Sequence, residues 1–167
     1  MPRYLTDSSI WIGARRWPDS YLPRLLAERI AADEVATCIP IALEVLVGPP
    51  DGHALRADWD AVWGNLTWLP VGEAVCERAL ELLRELAETT AGAHRRRPIG
   101  YLVASCAEAS NSAILWHWDK DLTHICDHAG IAQEPEHDRA KSHKINTEPG
   151  LSPQTLNARA KRRSQSS

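Results

Sequence analysis

The fold is decided by a short stretch near the N-terminus, Arg3-Tyr4-Leu5-Thr6-Asp7-Ser8-Ser9-Ile10-Trp11-Ile12. Residues 3–6 are compatible with a β-strand, and a polar group that begins with Asp7 follows them. Aspartate and serine are favoured helix N-caps, and the apolar residues from Ile10 onward start a helical pattern. The stretch therefore predicts a strand, a turn and a helix, with one carboxylate directly after the strand.

The chain continues to alternate short β-compatible runs with helical patterns. Further strands are predicted at residues 35–39, 66–69 and 113–118. Helices are predicted at residues 21–32, 41–47, 53–63, 73–88, 99–109 and 120–128. Strands that alternate with helices indicate an α/β fold, in which a central parallel sheet is covered on both faces as a three-layer α/β/α sandwich.

Composition indicates a water-soluble globular protein. The 167 residues suit one ordinary domain, and 44% of them are hydrophobic and 25% charged. No apolar run reaches the ~20 residues of a membrane-spanning helix, so no membrane association is expected. The first 13 residues lack the apolar core of a secretory signal. We therefore expect a cytoplasmic protein.

The charge distribution divides the chain into two parts. Residues 137–167 contain seven Lys or Arg and two acids, a net charge of +5, so residues 1–136 carry −8 of the overall −3. The basic segment has two prolines and no apolar periodicity, which predicts a domain over 1–136 and a flexible tail over 137–167. The tail either attracts RNA through charge or is a solvated extension without a role.

Cysteines and histidines form no recognisable metal motif. The four cysteines, at 38, 76, 106 and 126, include no C-x-x-C pair, and their apolar neighbourhoods predict buried thiols. His124 and His128 share a helix face but have no third ligand, and we interpret them as surface residues. His117 is either a metal ligand or, as we favour, a hydrogen-bonded strand histidine.

Four acids occupy positions where chemistry gathers in such folds. Asp7 follows the first strand, Asp119 and Asp121 follow the fourth, and Glu44 is the one charge in the apolar run 41–47. Functional groups of parallel sheets lie beyond the carboxyl ends of the strands. A carboxylate in an apolar run is costly to bury unless it is compensated, and Mg²⁺ prefers carboxylate oxygens.

Each of these residues also has a purely structural interpretation. Asp7 is a good helix cap, Glu44 can point to solvent, and Asp119 and Asp121 suit the cap and first turn of the next helix. The run Arg95–Arg97 either guides phosphates or is a solvated loop.

Four segments together resemble PIN domains, in particular the VapC-type toxins of bacterial toxin–antitoxin pairs. They are residues 5–12, with Asp7; 41–48, with Glu44 before an apolar run and Gly48; 98–109; and 115–122, with Asp119 and Asp121. Their order and spacing are similar to those of the family. The resemblance covers residues 3–133 and leaves out the tail.

The resemblance implies a metal-dependent endoribonuclease in which a metal-activated water attacks the RNA phosphodiester. Asp7, Glu44, Asp119 and Asp121 would be the catalytic acids that hold Mg²⁺ or Mn²⁺, and Ser8 or Ser9 would bond a carboxylate or a water. The implied partners are RNA, a cognate antitoxin whose basic side chain enters the acidic pocket, and a second copy of the chain. The helix over 73–88 is expected in that homodimer surface.

One position departs from the family pattern, because Tyr101 stands where the third motif normally has an aspartate. A phenol with a pKa of ~10 does not replace a carboxylate at neutral pH. Glu108, two helical turns further on, is expected to be too distant to substitute. Two hypotheses follow: an active endoribonuclease toxin, with full or weakened activity, which we favour, or a PIN-fold module that binds RNA or antitoxin without efficient cleavage.

Other phosphoryl-transfer classes fit the sequence less well. No P-loop motif occurs, and no D-x-D follows the first strand as in haloacid-dehalogenase-type phosphatases. The acidic pair that precedes the phosphorylated aspartate of receiver domains is also missing, because Arg3 and Tyr4 occupy that place.

Overall fold

A computed structural model describes residues 3–89 and 91–136, and the predicted tail over 137–167 lies outside the described residues. Within the described part, strands lie at β1 Tyr4–Thr6, β2 Val35–Thr37, β3 Thr67–Trp68, β4 Ile114–His117 and β5 Gln133–Pro135. Helices lie at α1 Ser8–Arg16, α2 Leu22–Ala31, α3 Ile39–Leu46, α4 Gly52–Ala61, α5 Glu73–Thr89, α6 Pro98–Ala109 and α7 Lys120–Ala129, and a 3-10 turn at Trp63–Asn65. None of these helices is long and apolar enough to span a bilayer.

The strands form one parallel sheet in the order β3-β2-β1-β4-β5. The chain leaves β1 toward one edge through β2 and β3, then returns to the other side of β1 for β4 and β5. The connections therefore diverge between β1 and β4, and in open α/β sheets a crevice opens at that point beyond the strand carboxyl ends. Helices flank the sheet, which confirms the predicted α/β/α architecture.

The centre of the sheet is fully buried. Leu5 of β1 and Leu115 and Trp116 of β4 have no exposed surface. Each apolar side chain withdrawn from water in this way stabilises the fold by ~1.5–3 kcal/mol. The packing fixes β1 against β4 and so fixes the residues that follow each strand.

Strand β5 was not predicted from the sequence. Its residues Gln133–Pro135 are polar and end in a proline, which edge strands tolerate because one side of the ladder is unpaired. The chain is held there by tertiary contacts instead. Arg29 pairs with Glu134 at 2.7 Å, and the buried Glu136 carboxylate accepts hydrogen bonds from Tyr21 Oη and, at 3.2 Å, from Trp116 Nε1.

Two local expectations were wrong. Helix α3 begins at Ile39 and not at residue 41, because Cys38 takes the extended N-cap conformation and Pro40 fits the first turn, which shortens β2. Cys76 is exposed, whereas the other three cysteines are buried as predicted. The buried stripe of α5 passes through Val75 and Ala79, and Cys76 lies ~100° around the helix from Val75.

Candidate active site

The switch point of the sheet brings two acids together. Asp7 follows β1 and is the N-cap of α1, while Asp119 follows β4 and is the N-cap of α7. The backbone N–H of Asp7 donates to Trp116 O at 2.9 Å. Since neighbouring parallel strands end at the same edge, the two caps face one crevice. Their capping role and their position at the crevice are therefore compatible.

The Asp7 carboxylate is buried and accepts hydrogen bonds from a residue two positions further along the chain. It is 5% exposed, and its Oδ2 accepts hydrogen bonds from Ser9 N at 2.9 Å and Ser9 Oγ at 2.5 Å. Burial raises the pKa of Asp7 above its ordinary 3.8, the bonds from Ser9 oppose this, and the nearby charge of Asp119 adds to it. The folded chain therefore holds this negative charge at a cost.

Ser9 connects the two halves of the site. The backbone N–H of Trp118 donates to Ser9 Oγ at 2.8 Å, and the same hydroxyl donates to Asp7. One hydroxyl thus ties the start of α1 to the segment that leads into Asp119.

Glu44 points into the site and not to solvent. It reaches the crevice from α3, and its side chain is 15% exposed. Its Oε2 accepts a hydrogen bond from Ser8 Oγ at 2.6 Å, and its Oε1 pairs with Arg97 Nη2 at 2.5 Å. Both carboxylate oxygens are therefore engaged by residues of the same chain.

Asp121 lies in the first turn of α7 and is also paired. Its Oδ1 accepts from Arg96 Nη1 at 2.6 Å, and its backbone N–H donates to Asp119 Oδ1 at 2.8 Å. The sequence is compatible with two roles for the arginine run before α6, a solvated loop or a guide for phosphates. The structure places Arg96 and Arg97 on two of the predicted site acids.

The acids surround a small pocket. It is lined by Asp7, Glu44, Arg97, Ile99, Gly100, Asp119 and Leu122 and leaves about 10 Å³ for the centre of a water molecule. That is room for about one water. Asp121 is not part of this lining.

Tyr101 lies beneath the arginine loop and not in the pocket lining. The side chain is 2% exposed, and its hydroxyl donates to His94 O at 2.9 Å. Burial raises the pKa of Tyr101, and the charges of Arg96 and Asp121 act on it in opposite directions. The residue that replaces the family aspartate therefore anchors the loop that carries Arg96 and Arg97.

The remaining polar candidates lie elsewhere. His117 is buried and hydrogen-bonded, with its ring nitrogens 2.9 Å from Gln133 Oε1 and 3.2 Å from the backbone nitrogen of Asp119. Glu108 pairs with Arg78 at 2.8 Å. His128 lies 3.2 Å from Glu85 on the surface. None of the three enters the pocket.

The donor set suits a hard divalent cation. Three carboxylates line one pocket and one of them, Asp7, is desolvated. Oxygen ligands are those that Mg²⁺ and Mn²⁺ prefer. In residues 3–89 and 91–136, no three His, Cys, Asp or Glu side chains converge on one point as ligands, and Glu44 is paired with Arg97. The residues therefore fit a cation in chemistry and location, with one acid turned toward an arginine.

A buried charge at Asp7 has a measurable effect on stability. Between the ordinary and the raised pKa, the folded chain keeps a proton that the unfolded chain has released, so raising the pH through that window destabilises the fold. In chelator, we expect Asp7→Asn to melt at a higher temperature than the native chain, with a gap that widens as the pH rises from about 4 toward neutral. Thermal melts over this range measure it, and a gap that does not change with pH would contradict it.

Comparisons with known proteins identify the family and support the fold. The family model of the PIN domain matches residues 4–127. Ribonuclease VapC18 of Mycobacterium tuberculosis (strain ATCC 25618 / H37Rv) is 30% identical over 135 residues, which are 79% of this chain and 91% of that protein. A crystal structure of DNA-bound VapBC from Salmonella typhimurium shares the fold, with a TM-score of 0.59 at 15% identity, covering 81% of this chain and 98% of that one.

The chain therefore belongs to the PIN domain family. Within that family it groups with the VapC-type toxins, because the identity to VapC18 extends over most of both chains.

Sequence reasoning missed the arginine partners of the acids. The signal was visible, because three consecutive arginines stand directly before the third motif. Their targets are 53 and 25 residues away in the chain, however, and no local pattern specifies such pairings.

Proposed function

We propose that this chain is a metal-dependent endoribonuclease, the toxin of a toxin–antitoxin pair, which hydrolyses RNA phosphodiester bonds. The observation that carries the proposal is the meeting of Asp7, Glu44 and Asp119, from three separate elements, around one pocket at the switch point. A cluster of carboxylates in a desolvated pocket destabilises a fold. Such clusters are concentrated at functional sites. The 30% sequence identity to a protein named Ribonuclease VapC18 adds support to the proposed ribonuclease activity.

Asp7, Glu44 and Asp119 are the residues that would hold Mg²⁺ or Mn²⁺, and Asp121 is a further acid next to them. When bound, such a cation supplies positive charge that stabilises a displacement at phosphorus. Ser9 fixes the rotamer of Asp7 through two hydrogen bonds, and Ser8 does the same for Glu44. The Asp7 carboxylate is therefore held in place before any ligand arrives.

The first test is cleavage of total RNA by the purified full-length chain. We expect fragments with Mn²⁺ or Mg²⁺ and none with chelator. Cleavage of equal extent in chelator would contradict the metal requirement, while intact RNA under all conditions, from a folded protein, would contradict ribonuclease activity on that mixture.

Arg97 competes with a cation for Glu44, which yields a prediction. We expect Arg97→Gln to bind Mn²⁺ more tightly by about fivefold, because an ion pair with one exposed partner is worth ~1 kcal/mol at most. Calorimetry or electron paramagnetic resonance of Mn²⁺, without RNA, measures the affinity. Arg15→Gln is the matched control, since Arg15 pairs with Asp58 at 2.6 Å outside the pocket. An unchanged or weaker affinity in Arg97→Gln would show that the pair does not oppose the cation.

The second candidate is a binding module that cleaves poorly. Tyr101 favours it, because the third motif lacks its carboxylate and two arginines neutralise two of the remaining acids. The same arrangement bears on an antitoxin partner. Arg97 lines the pocket and pairs with Glu44, so a guanidinium can be placed there. We propose that a basic side chain of an antitoxin takes that place.

Homodimerisation also remains a proposal. The outer face of α5, predicted to contribute, carries the ion-paired Arg78, Glu81 and Glu85 beside the exposed Leu80. A run of exposed apolar side chains lies instead along α3, at Ile39, Leu43 and Val47. We therefore propose α3 as the larger apolar contribution to a dimer surface.

A further inference from the structure

Trp17 and Trp118 form an aromatic ledge along helix α1. Trp17 caps the C-terminal end of α1 and is 39% exposed, and Trp118 directly precedes Asp119. Their ring centroids are 4.9 Å apart. The Trp118 indole packs close to α1 at Gly13, where a Cβ would come within 3.1 Å of Leu22 Cδ2 and 3.3 Å of the indole. The sequence is rich in tryptophan and contains no phenylalanine, and the acidic site alone leaves this pair unexplained.

The ledge is fixed to the site by hydrogen bonds. The Trp118 backbone N–H donates to Ser9 Oγ, which in turn donates to Asp7. Trp17 lies ten residues after Asp7, and α1 rises ~1.5 Å per residue, so the backbone positions of the two residues are ~15 Å apart along the helix. A single strand whose phosphate reaches the pocket can extend that far with its neighbouring nucleotides.

The ledge also carries a cation. The guanidinium carbon of Arg16 lies 5.2 Å from the centroid of a Trp17 ring, and Arg16 is exposed. Its neighbour Arg15 is already paired with Asp58. Since residues 1–136 carry a charge of −8, RNA binding depends on local positive groups such as this one.

A second exposed tryptophan provides the contrast. Trp59 is 41% exposed and has its ring centroid 5.6 Å from that of Trp68, so it is a similar aromatic pair. It stands on α4 between Asp58, which is paired with Arg15, and Asp60, whose carboxylate repels a phosphate backbone. Exposure and ring pairing are alike in the two places, whereas the neighbouring charges differ, because Arg16 lies over the Trp17 ring.

We propose that Trp17 and Arg16, backed by Trp118, form a stacking platform for an unpaired base of single-stranded RNA, a few nucleotides along the strand from the phosphate that reaches the acidic pocket. The proposal rests on the ribonuclease function proposed above. Aromatic rings stack on any nucleobase, and an arginine beside them adds charge and cation–π attraction. The platform would hold the strand without reading its sequence.

The test measures binding without cleavage. The full-length chain is titrated into a fluorescently labelled single-stranded RNA in excess chelator, and anisotropy gives the affinity. We expect Trp17→Ala to bind about fivefold more weakly, the low end of what one stacked base contributes, and Trp17→Phe to retain most of the affinity. Trp59→Ala is the matched control and should bind like the native chain.

An abasic strand of the same length separates stacking from charge. We expect it to bind the native chain as weakly as the base-containing strand binds Trp17→Ala, and to be insensitive to that substitution. Equal binding by Trp17→Ala and the native chain would overturn the platform, as would an equal loss for both strands. Neither result bears on metal-dependent cleavage by the native chain, so failure of the platform is distinguishable from failure of the proposed function.

Discussion

Replacing Asp7 by asparagine is expected to lower the rate of metal-dependent RNA cleavage by at least ~100-fold. Groups that only support metal ligands commonly contribute 10–100-fold, and Asp7 is proposed to be a ligand itself. Asparagine keeps the size of the side chain and caps helices as well as aspartate, so the fold should survive. The rate of appearance of fragments from total RNA with Mn²⁺ measures the change.

The matched control is Asp51→Asn. Asp51 also caps a helix, accepting from His53 N and Ala54 N at 2.9 Å, but it is exposed and outside the pocket. We expect this variant to cleave like the native chain. If Asp7→Asn retained most of the activity, Asp7 would be only a helix cap, and the assignment of the site would be wrong.

Restoring the family carboxylate is expected to have the second largest effect. Tyr101→Asp should bind Mn²⁺ roughly tenfold more tightly, a change of ~1.4 kcal/mol, because affinity for hard cations rises with the number of charged oxygen ligands. The hydrogen bond to His94 O is lost at the same time, which frees the loop that brings Arg97 to Glu44. Losing a buried ring should also destabilise the fold, by ~3 kcal/mol.

Tyr101→Asn distinguishes the effect of the new negative charge from the effect of the space that the tyrosine ring leaves. It removes the same ring and leaves a neutral side chain of the same size, so a gain that appears only in Tyr101→Asp belongs to the carboxylate. Equal Mn²⁺ affinities for the two variants would contradict the prediction. Cleavage by the native chain would show that Tyr101 is tolerated, whereas cleavage by Tyr101→Asp alone would favour the binding module.

Much of the fold follows from local patterns. The periodicity around Asp7, Glu44 and Asp119 predicts the elements that carry them, since burial on one face sets the spacing of apolar residues. Strand β5 was missed because Gln133–Pro135 has no apolar signal of its own and depends on Arg29 and Trp116. The order of the strands was not predicted either, because pairing joins segments distant in the chain.

The candidate site was predictable in its acids and not in their partners. Asp7, Glu44 and Asp119 line one pocket, and their role as metal ligands stays a prediction. The positions of Arg96 and Arg97 depend on how the loop over 94–97 packs, which Tyr101 sets through one bond to a backbone carbonyl. Because Tyr101 acts through the loop that it supports, no spacing of residues in the sequence indicates its role.

The central position of β1 has a consequence for the order in which this protein is made. Ser9 and Trp118, joined through a single hydroxyl, are 109 residues apart in the chain, and β1 cannot pair with β4 until both have left the ribosome. Domains emerge from the N-terminus at ~5–20 residues per second, so for several seconds of synthesis a growing chain displays Asp7 and Glu44 without Asp119. A truncated product that ends before β4 lacks Asp119, so the proposed metal site cannot form until the domain is almost complete.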